Sequence, residues 1–535
     1  MIAVSNTWKE LQKETLLPEM FVEITYRITE PGVQEEAVAT ASEPEEFSDV
    51  SQIVDTRVKN HEAYASLDYG SWGLDGSFTY NDGVITDPGY IYSHCSNANR
   101  EFAITPEITI DFEKKHNIVI PGMDITWDKA LGGWATDFVI ILNNANGEVA
   151  RKTVTGNTSV VSRVAMDMVD YSQIKIRILK WSHPYQRAKC VSVMLGLSTV
   201  YTKDDLLSFE HSQSVDLLSA TLPENVVRFK LRNDDDRWNP DSPQGAEKYL
   251  AEQQEVTVRY GMDIGGVTEW IDGGVFWLTE WETPANGMEA SFTARDAISF
   301  MEYIYTGPRS GTLYDIATSA ISGANLPMVG VDVVCCEIDE SLKTRQTDFS
   351  ADTQEYTIAE VLQLVAHAGN CVFYQDRKGT VHIEPRKISY SNYMITPDIS
   401  YTHPEYTINK PLKAVSVKYG EKSRVEVPVG SKGEIQTIDN PFIITEEHAR
   451  SVGEAAENVL VNRKVISGDF RADMRIDALD NVIVTSKYAS NVIAVTNITY
   501  STTSGAFRGT YTGRVVSVEL ISNDLYSGEF YVGEI

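Results

Sequence analysis

Three groups of residues carry side chains that could bind or react. Asp234-Asp235-Asp236 gathers carboxylate oxygens of the kind calcium takes. The Asp-x-Asp-x-Asp-Gly spacing of a calcium loop is missing, and the same acids serve as a solvated turn after a strand. The turn is the preferred reading, and no metal or cofactor is expected. Trp127, Trp134 and Trp181 could form an aromatic platform, since the C–H faces of sugars pack on rings. Asp137, Asp75 and His183 could orient sugar hydroxyls beside it. The competing assignment puts the three rings in a core, with Trp127 closing the candidate strand Met123-Asp124-Ile125-Thr126, and the three polar residues in surface turns. Arg295-Asp296, at the end of another strand, could be an active-site pair; a salt bridge and a helix N-cap by Asp296 are the simpler roles.

Enzymatic signatures are missing. The nine histidines are dispersed, and there is no His-Glu-x-x-His and no Gly-x-Ser-x-Gly. With 76 Asp and Glu, paired carboxylates are unavoidable and carry no catalytic weight. Gly265-Gly266 and Gly273-Gly274 lack the strand-to-helix context of a phosphate loop and read as turns. The five cysteines, Cys95, Cys190, Cys335, Cys336 and Cys371, form no zinc-spaced pairs and suit buried thiols in a reducing compartment.

The elements that must hold these residues are mostly strands. Val227, Phe229 and Leu231 alternate with Arg228, Lys230 and Arg232, the period of a strand with one buried face, and an Asn/Asp turn follows. From about Thr56 to Leu197, candidate strands recur at short intervals: 101–104, 107–112, 117–120, 137–142, 173–179 and 190–195. Turn signals separate them, so this block of about 140 residues reads as one jelly-roll β-sandwich. Strands follow at 254–260, 274–279 and 288–294. Helical spacing then appears at 313–321, ending at Gly323, and at 357–367, where Thr357 and Glu360 make a capping box and Gly369 is the stop. A hairpin crosses Asp376-Arg377-Lys378-Gly379. A third helix spans 446–464, its apolar stripe formed by Ala449, Val452, Ala456, Val459 and Leu460.

At 535 residues the chain needs several domains, and 42% hydrophobic residues suffice for their cores. A formal charge of −30 excludes wrapping nucleic acid, whose phosphates need Lys and Arg, but permits nucleic acid to slide past an acidic wall. No apolar run is long enough to span a bilayer, and the first residues lack the basic head and apolar core of a signal peptide.

Several stretches resemble the hub proteins at the tip of bacteriophage tails, of related contractile particles, and of the N-terminal part of tail-associated lysins. They are Tyr201-Thr202-Lys203-Asp204-Asp205-Leu206-Leu207-Ser208-Phe209, Leu222-Pro223, Phe229-Lys230-Leu231-Arg232-Asn233, Arg237-Trp238-Asn239-Pro240, Val258-Arg259-Tyr260-Gly261, Phe276-Trp277-Leu278 and Phe292-Thr293-Ala294-Arg295-Asp296. Gly468-Asp469-Phe470-Arg471 and the closing run Ala506-Phe507-Arg508-Gly509-Thr510-Tyr511-Thr512-Gly513-Arg514-Val515 belong to the same resemblance. The residues it marks as structural are Pro223, Phe229, Asn233, Arg237, Asn239, Pro240, Arg295, Asp296, Gly509, Gly513 and Arg514. Tyr69-Gly70-Ser71-Trp72-Gly73-Leu74-Asp75-Gly76-Ser77 and 173–181 make the 56–197 block similar to the galactose-binding-like jelly roll inserted in some hubs.

The resemblance implies a mainly β fold with an α+β segment: two hub β-barrels, an inserted β-sandwich and a smaller α+β domain. Residues 1–55 would lend strands to a first barrel at 198–305. The sandwich would occupy 56–197, the α+β domain 306–390, a β-rich domain with the 446–464 helix 391–478, and a second barrel 479–535. It further implies a homotrimeric ring in the virion, made in the host cytoplasm. That ring would join the tail tube and distal tail protein to a tip, spike or receptor-binding protein, and pass the tape-measure protein and then, transiently, DNA. An acidic lumen suits that passage, because it repels phosphate. The sandwich would either bind host cell-wall glycan or only touch neighbouring proteins. Some hubs carry a wall hydrolase after the last barrel; here the chain ends at Ile535, so no enzyme is expected.

Overall fold

The computed structural model describes residues 1–14, 19–30, 32–34, 36–54, 75–77, 89–128, 132–234, 236, 238–239, 241–242, 249–283, 287–324, 336–387, 393–420, 423–486, 489–503 and 506–520. The stretch 69–74, Asp235, Arg237, Pro240 and Cys335 lie outside them. The fold is mainly β, with four α-helices among the described residues.

The Glu224–Arg232 strand shows how the large sheet forms. Val227, Phe229 and Leu231 are buried, while Arg228 and Lys230 reach outward to Glu210 and Glu289 on the neighbouring strands at 3.0 and 2.9 Å. One buried face fixes the register, because a slip of one residue would turn every apolar side chain to water. Phe229 lies opposite Phe209 on one side and Phe292 on the other. Thirteen strands join in this way. The path runs Leu197–Tyr201, Met20–Ile28, Glu255–Ile264, Val267–Glu282, Glu289–Arg295, Glu224–Arg232, Leu206–Ser214, Ala489–Thr503, Ala506–Leu520, Lys464–Arg471 and Glu405–Ile408, with Asn481–Thr485 and Met394–Ile395 branching off.

Two barrels are the expectation, but among the described residues this ladder is one open path and closes on neither segment. The reason is edge pairing: the free edge of Leu206–Ser214, which could close a first ring, is taken by Ala489–Thr503. A single core accordingly holds Ile24, Phe209, Phe229 and Tyr260 together with Phe470, Ile493, Tyr500 and Tyr511. Bulges at Val258/Arg259, Leu278/Glu280 and Val492/Ile493 bend the sheet around it.

The second body is a sandwich. Its five-stranded face runs Val38–Ala41, Glu107–His116, Tyr171–Trp181, Ala135–Asn144 and Gly147–Val154. A three-stranded sheet (Ser192–Leu195, Ile120–Thr126, Val161–Met168) and a two-stranded one (Arg187–Cys190, Tyr90–Cys95) complete it. The strand expected at 117–120 begins only at Ile120, and Glu101 makes a lone bridge to Lys180 in place of a strand at 101–104. Arg27 on the large sheet donates to the Leu195 carbonyl at 3.2 Å and to Gln34 at 2.7 Å, and so ties the two bodies together.

The third body packs the helices Leu313–Ala324, Ile358–Gly369 and Glu446–Leu460 on two three-stranded sheets around its own apolar core. Thr357 caps the second helix, with the reciprocal Glu360 bond to the Thr357 amide at 2.7 Å. The helix ends at Gly369, as expected, and the C-cap Asn370 takes the left-handed conformation at φ +55°. Gly369 is also a place of close approach, where a Cβ would lie 2.4 Å from Leu342. The first helix ends at Ala324, one residue past Gly323, and the third ends at Leu460, leaving Lys464 to begin a strand.

Candidate functional site

At the sandwich, the three tryptophans separate. Trp127 and Trp181 are 0% exposed. Their rings meet edge to face at 6.2 Å, and Trp127 also packs on Phe138 at 5.2 Å. The Trp127 Nε1–H donates to Ser162 Oγ at 2.8 Å. A ring with no exposed face offers nothing for a sugar to stack on, so these two belong to the core. Trp134 is only half-buried, because it stands on the loop just ahead of the Ala135–Asn144 strand. Its Nε1–H donates to the Asn157 carbonyl at 2.9 Å, and its amide to Ser182 Oγ at 2.9 Å. His183 sets its ring edge-on to Trp134 at 5.7 Å and faces Ser182 Oγ through Nδ1 at 2.9 Å. Asp137 accepts from the Gly156 amide at 2.8 Å and holds the neighbouring turn. Asp75 accepts from both Ser77 donors, which lowers its carboxyl below the usual range. On this side of the sandwich one half-buried indole therefore lies beside one partly exposed imidazole.

At the large sheet, the marked residues build structure. Phe229 stacks on Phe292 at 5.1 Å. Asn233 is buried; its Oδ1 accepts from the Trp238 amide at 2.8 Å and its Nδ2 donates to the Gly287 carbonyl at 3.1 Å. That bond seats Trp238, 1% exposed, against Phe292 at 5.0 Å and closes the end of the core. Asp234 faces Arg232 at 3.7 Å, Asp236 sits at φ +54° in the turn, and Asn239 accepts from the Asp241 amide at 3.0 Å. Among the described residues no group of His, Cys, Asp and Glu is arranged to hold a metal ion. Arg295 pairs with Glu224 at 3.4 Å, and Asp296 caps the short turn after its strand through Ser299. Gly509 leaves room for Phe470, whose ring a Cβ would meet at 2.5 Å. Gly513 leaves room for the Ala494 carbonyl at 2.7 Å, and Arg514 donates to the Asn462 carbonyl at 3.1 Å.

Where the large sheet meets the third body lies a cavity of about 580 Å³. Pro223 and Asp296 line it, with residues that nothing in the sequence singles out. Arg377, in the hairpin turn, is one tie across this junction. It donates to Asp477 at 2.9 Å, to the Asp272 carbonyl at 2.8 Å and to the Met474 carbonyl at 2.7 Å. Beside it His211 is held between Tyr260 at 2.7 Å and Asn225 at 2.8 Å, and burial pushes its pKa down to about 4. These residues come from six stretches of chain, and no spacing links them.

No family model matches the chain, and no curated protein does. Solved structures do. The chain is similar to the 43 kDa tail protein of prophage MuSo2 from Shewanella oneidensis, with 14% identity over 59% of this chain and 94% of that one and a TM-score of 0.41. A tail protein from Neisseria meningitidis MC58 gives 9% identity over 59% and 93%, with a TM-score of 0.42. The family 32 carbohydrate-binding module of NanJ from C. perfringens, solved with galactose, gives 16% identity over 33% and 99%, with a TM-score of 0.20.

Proposed function

We propose that this chain is the structural hub of a phage or phage-like tail tip. In this reading three copies form a ring that joins the tail tube and distal tail protein to the tip and lines the passage for tape-measure protein and DNA. The observation that carries it is the pairing of Ser208–Ser214 with Asn497–Thr503. Ser212 and Thr499, 287 positions apart, meet there at 3.0 Å. The early and late stretches that resemble hub proteins are thereby joined in one continuous sheet, which suits a load-bearing ring segment. The charge of −30 supports the passage of DNA without adhesion. Light scattering of the purified chain tests the ring: a mass near three times 59.6 kDa, with a central opening in electron micrographs, is expected. A single-chain mass at every concentration overturns it.

A second reading rests on Trp134. Its half-buried ring beside His183 would bind host cell-wall polysaccharide and add attachment to the hub. Retention of the chain on purified cell walls, lost in Trp134→Ala, is the expected result; equal retention of the variant overturns it.

A further inference from the structure

Arg100 stands beside the Trp134–His183 pair. Its Nη1 donates to the Ser182 carbonyl at 3.4 Å. Ser182 in turn holds the pair, because its Oγ accepts from the Trp134 amide and meets His183 Nδ1, both at 2.9 Å. The loops around them are bonded to one another. The Trp181 amide donates to the Arg100 carbonyl at 2.9 Å, the Tyr185 amide to the Ser96 carbonyl at 3.1 Å, and Ser96 Oγ to the His183 carbonyl at 3.0 Å. Asn97 Oδ1 accepts from the Asn99 and Glu101 amides at 2.8 and 3.0 Å and fixes the turn that carries Arg100. In that turn Arg100 adopts φ +69°, a region that long side chains rarely enter. The backbone thus holds this arginine at a set place, which lowers the ordering cost of binding.

The rest of the Arg100 fork has no hydrogen-bond or ion partner among the described residues. Two acids lie in the neighbouring stretches, Glu101 and Asp137. Both stand opposite Lys180 in the strand pairing, and Asp137 also accepts from the Gly156 amide. Arg100 is only half-buried, and water alone can satisfy it. What gives the arginine its meaning is its place, next to an indole and an imidazole that are also open to water.

We propose that the sandwich takes an anionic sugar here, the sugar ring on Trp134, a hydroxyl on His183, and a carboxylate or phosphate on the fork of Arg100. A planar guanidinium meets two oxygens of either group at once, which a neutral hydroxyl does not offer. The inference rests on the reading of Trp134 as a glycan site and adds the charge of the glycan to it.

Calorimetric titration of the full chain tests this with matched probes: glucose, glucuronate and glucose 6-phosphate, and the same three of the galactose series. Within a series only the group at C6 differs, so the better of the two acids separates a uronate from a phosphate ligand. In one series an acidic sugar is expected to bind about ten-fold tighter than the neutral one, and added salt should shrink the advantage. Arg100→Gln should bring the acidic sugar down to the neutral one and leave the neutral one unchanged. Arg100→Lys, which keeps the charge without the fork, should keep part of the advantage. Trp134→Ala should weaken all three sugars. If acidic and neutral sugars bind alike, or if Arg100→Gln leaves the advantage intact, the inference is overturned while the glycan reading of Trp134 stands. If no sugar binds, the inference is overturned as well, and retention on cell walls decides the reading of Trp134 by itself.

Discussion

The sandwich and the large sheet each carry tryptophans outside their strands, and these differ in how far they are buried. In the sandwich, Trp127, one residue past the Ile120–Thr126 strand, and Trp181, at the end of its own strand, are buried in the core, while Trp134, on a loop, is half-buried. In the large sheet the loop tryptophan, Trp238, is the buried one, drawn in by the Asn233 side chain and closed over by Phe292. A polar, turn-forming neighbourhood thus surrounds a ring that water never meets. Exposure of an aromatic follows from what the loop is bonded to, and loop position alone does not decide it. Trp238 is seated by the Asn233 side chain on its amide and is buried, whereas Trp134, held through its amide and its Nε1–H, stays half-buried.

Substitutions sharpen this contrast. The largest effect is expected from Trp127→Ala, which leaves a cavity in the sandwich core and costs about 3–5 kcal/mol in urea unfolding. Trp238→Ala should cost a similar amount in the large sheet, whereas Trp134→Ala should cost less than half as much; equal losses at Trp127 and Trp134 would erase the distinction between core and rim. Arg377→Ala breaks a buried ion pair and its carbonyl bonds, and is expected to destabilise by about 3–5 kcal/mol. A separate early unfolding of the third body in that variant would show that Arg377 is its tie to the sheet.

The next effect depends on pH. The folded-state pKa of Asp296, about 7, is above its unfolded value. Its contribution is therefore fully present below about pH 4 and is lost as pH rises through 7. Asp296→Asn should be more stable than the parent at pH 8 by a few kcal/mol, with the gap closing towards pH 5; a gap independent of pH would mean that the carboxyl is not held neutral. The smallest effect is that of Thr357→Ala, about 1 kcal/mol, from loss of the bond to the Glu360 amide at 3.2 Å. Melting curves measure both.

Strand periodicity made Val227, Phe229 and Leu231 legible as a buried face, and the Thr357–Glu360 spacing made a helix start legible, because both are set by neighbours a few residues away. Two helix ends were legible as well: the first two helices end at or within one residue of Gly323 and Gly369, and contact with Leu342 adds a reason for glycine at 369. The third helix stops at Leu460, four residues short of the expected 464, because Lys464 joins the large sheet. The tryptophans were legible as a choice between platform and core; the fold buries Trp127 and Trp181 and leaves Trp134 half-buried.

The sequence by itself determined that this is a strand-rich, acidic chain with short helices in its later half, because alternation, capping residues and charge are local or additive properties. Only the tertiary structure decided that the early and late strands make one open sheet, since the edge of Leu206–Ser214 can be claimed by any strand that reaches it. It alone also brought Arg377 to Asp272, Met474 and Asp477, about a hundred positions away on either side, because such partners belong to the packed chain and to no stretch of it.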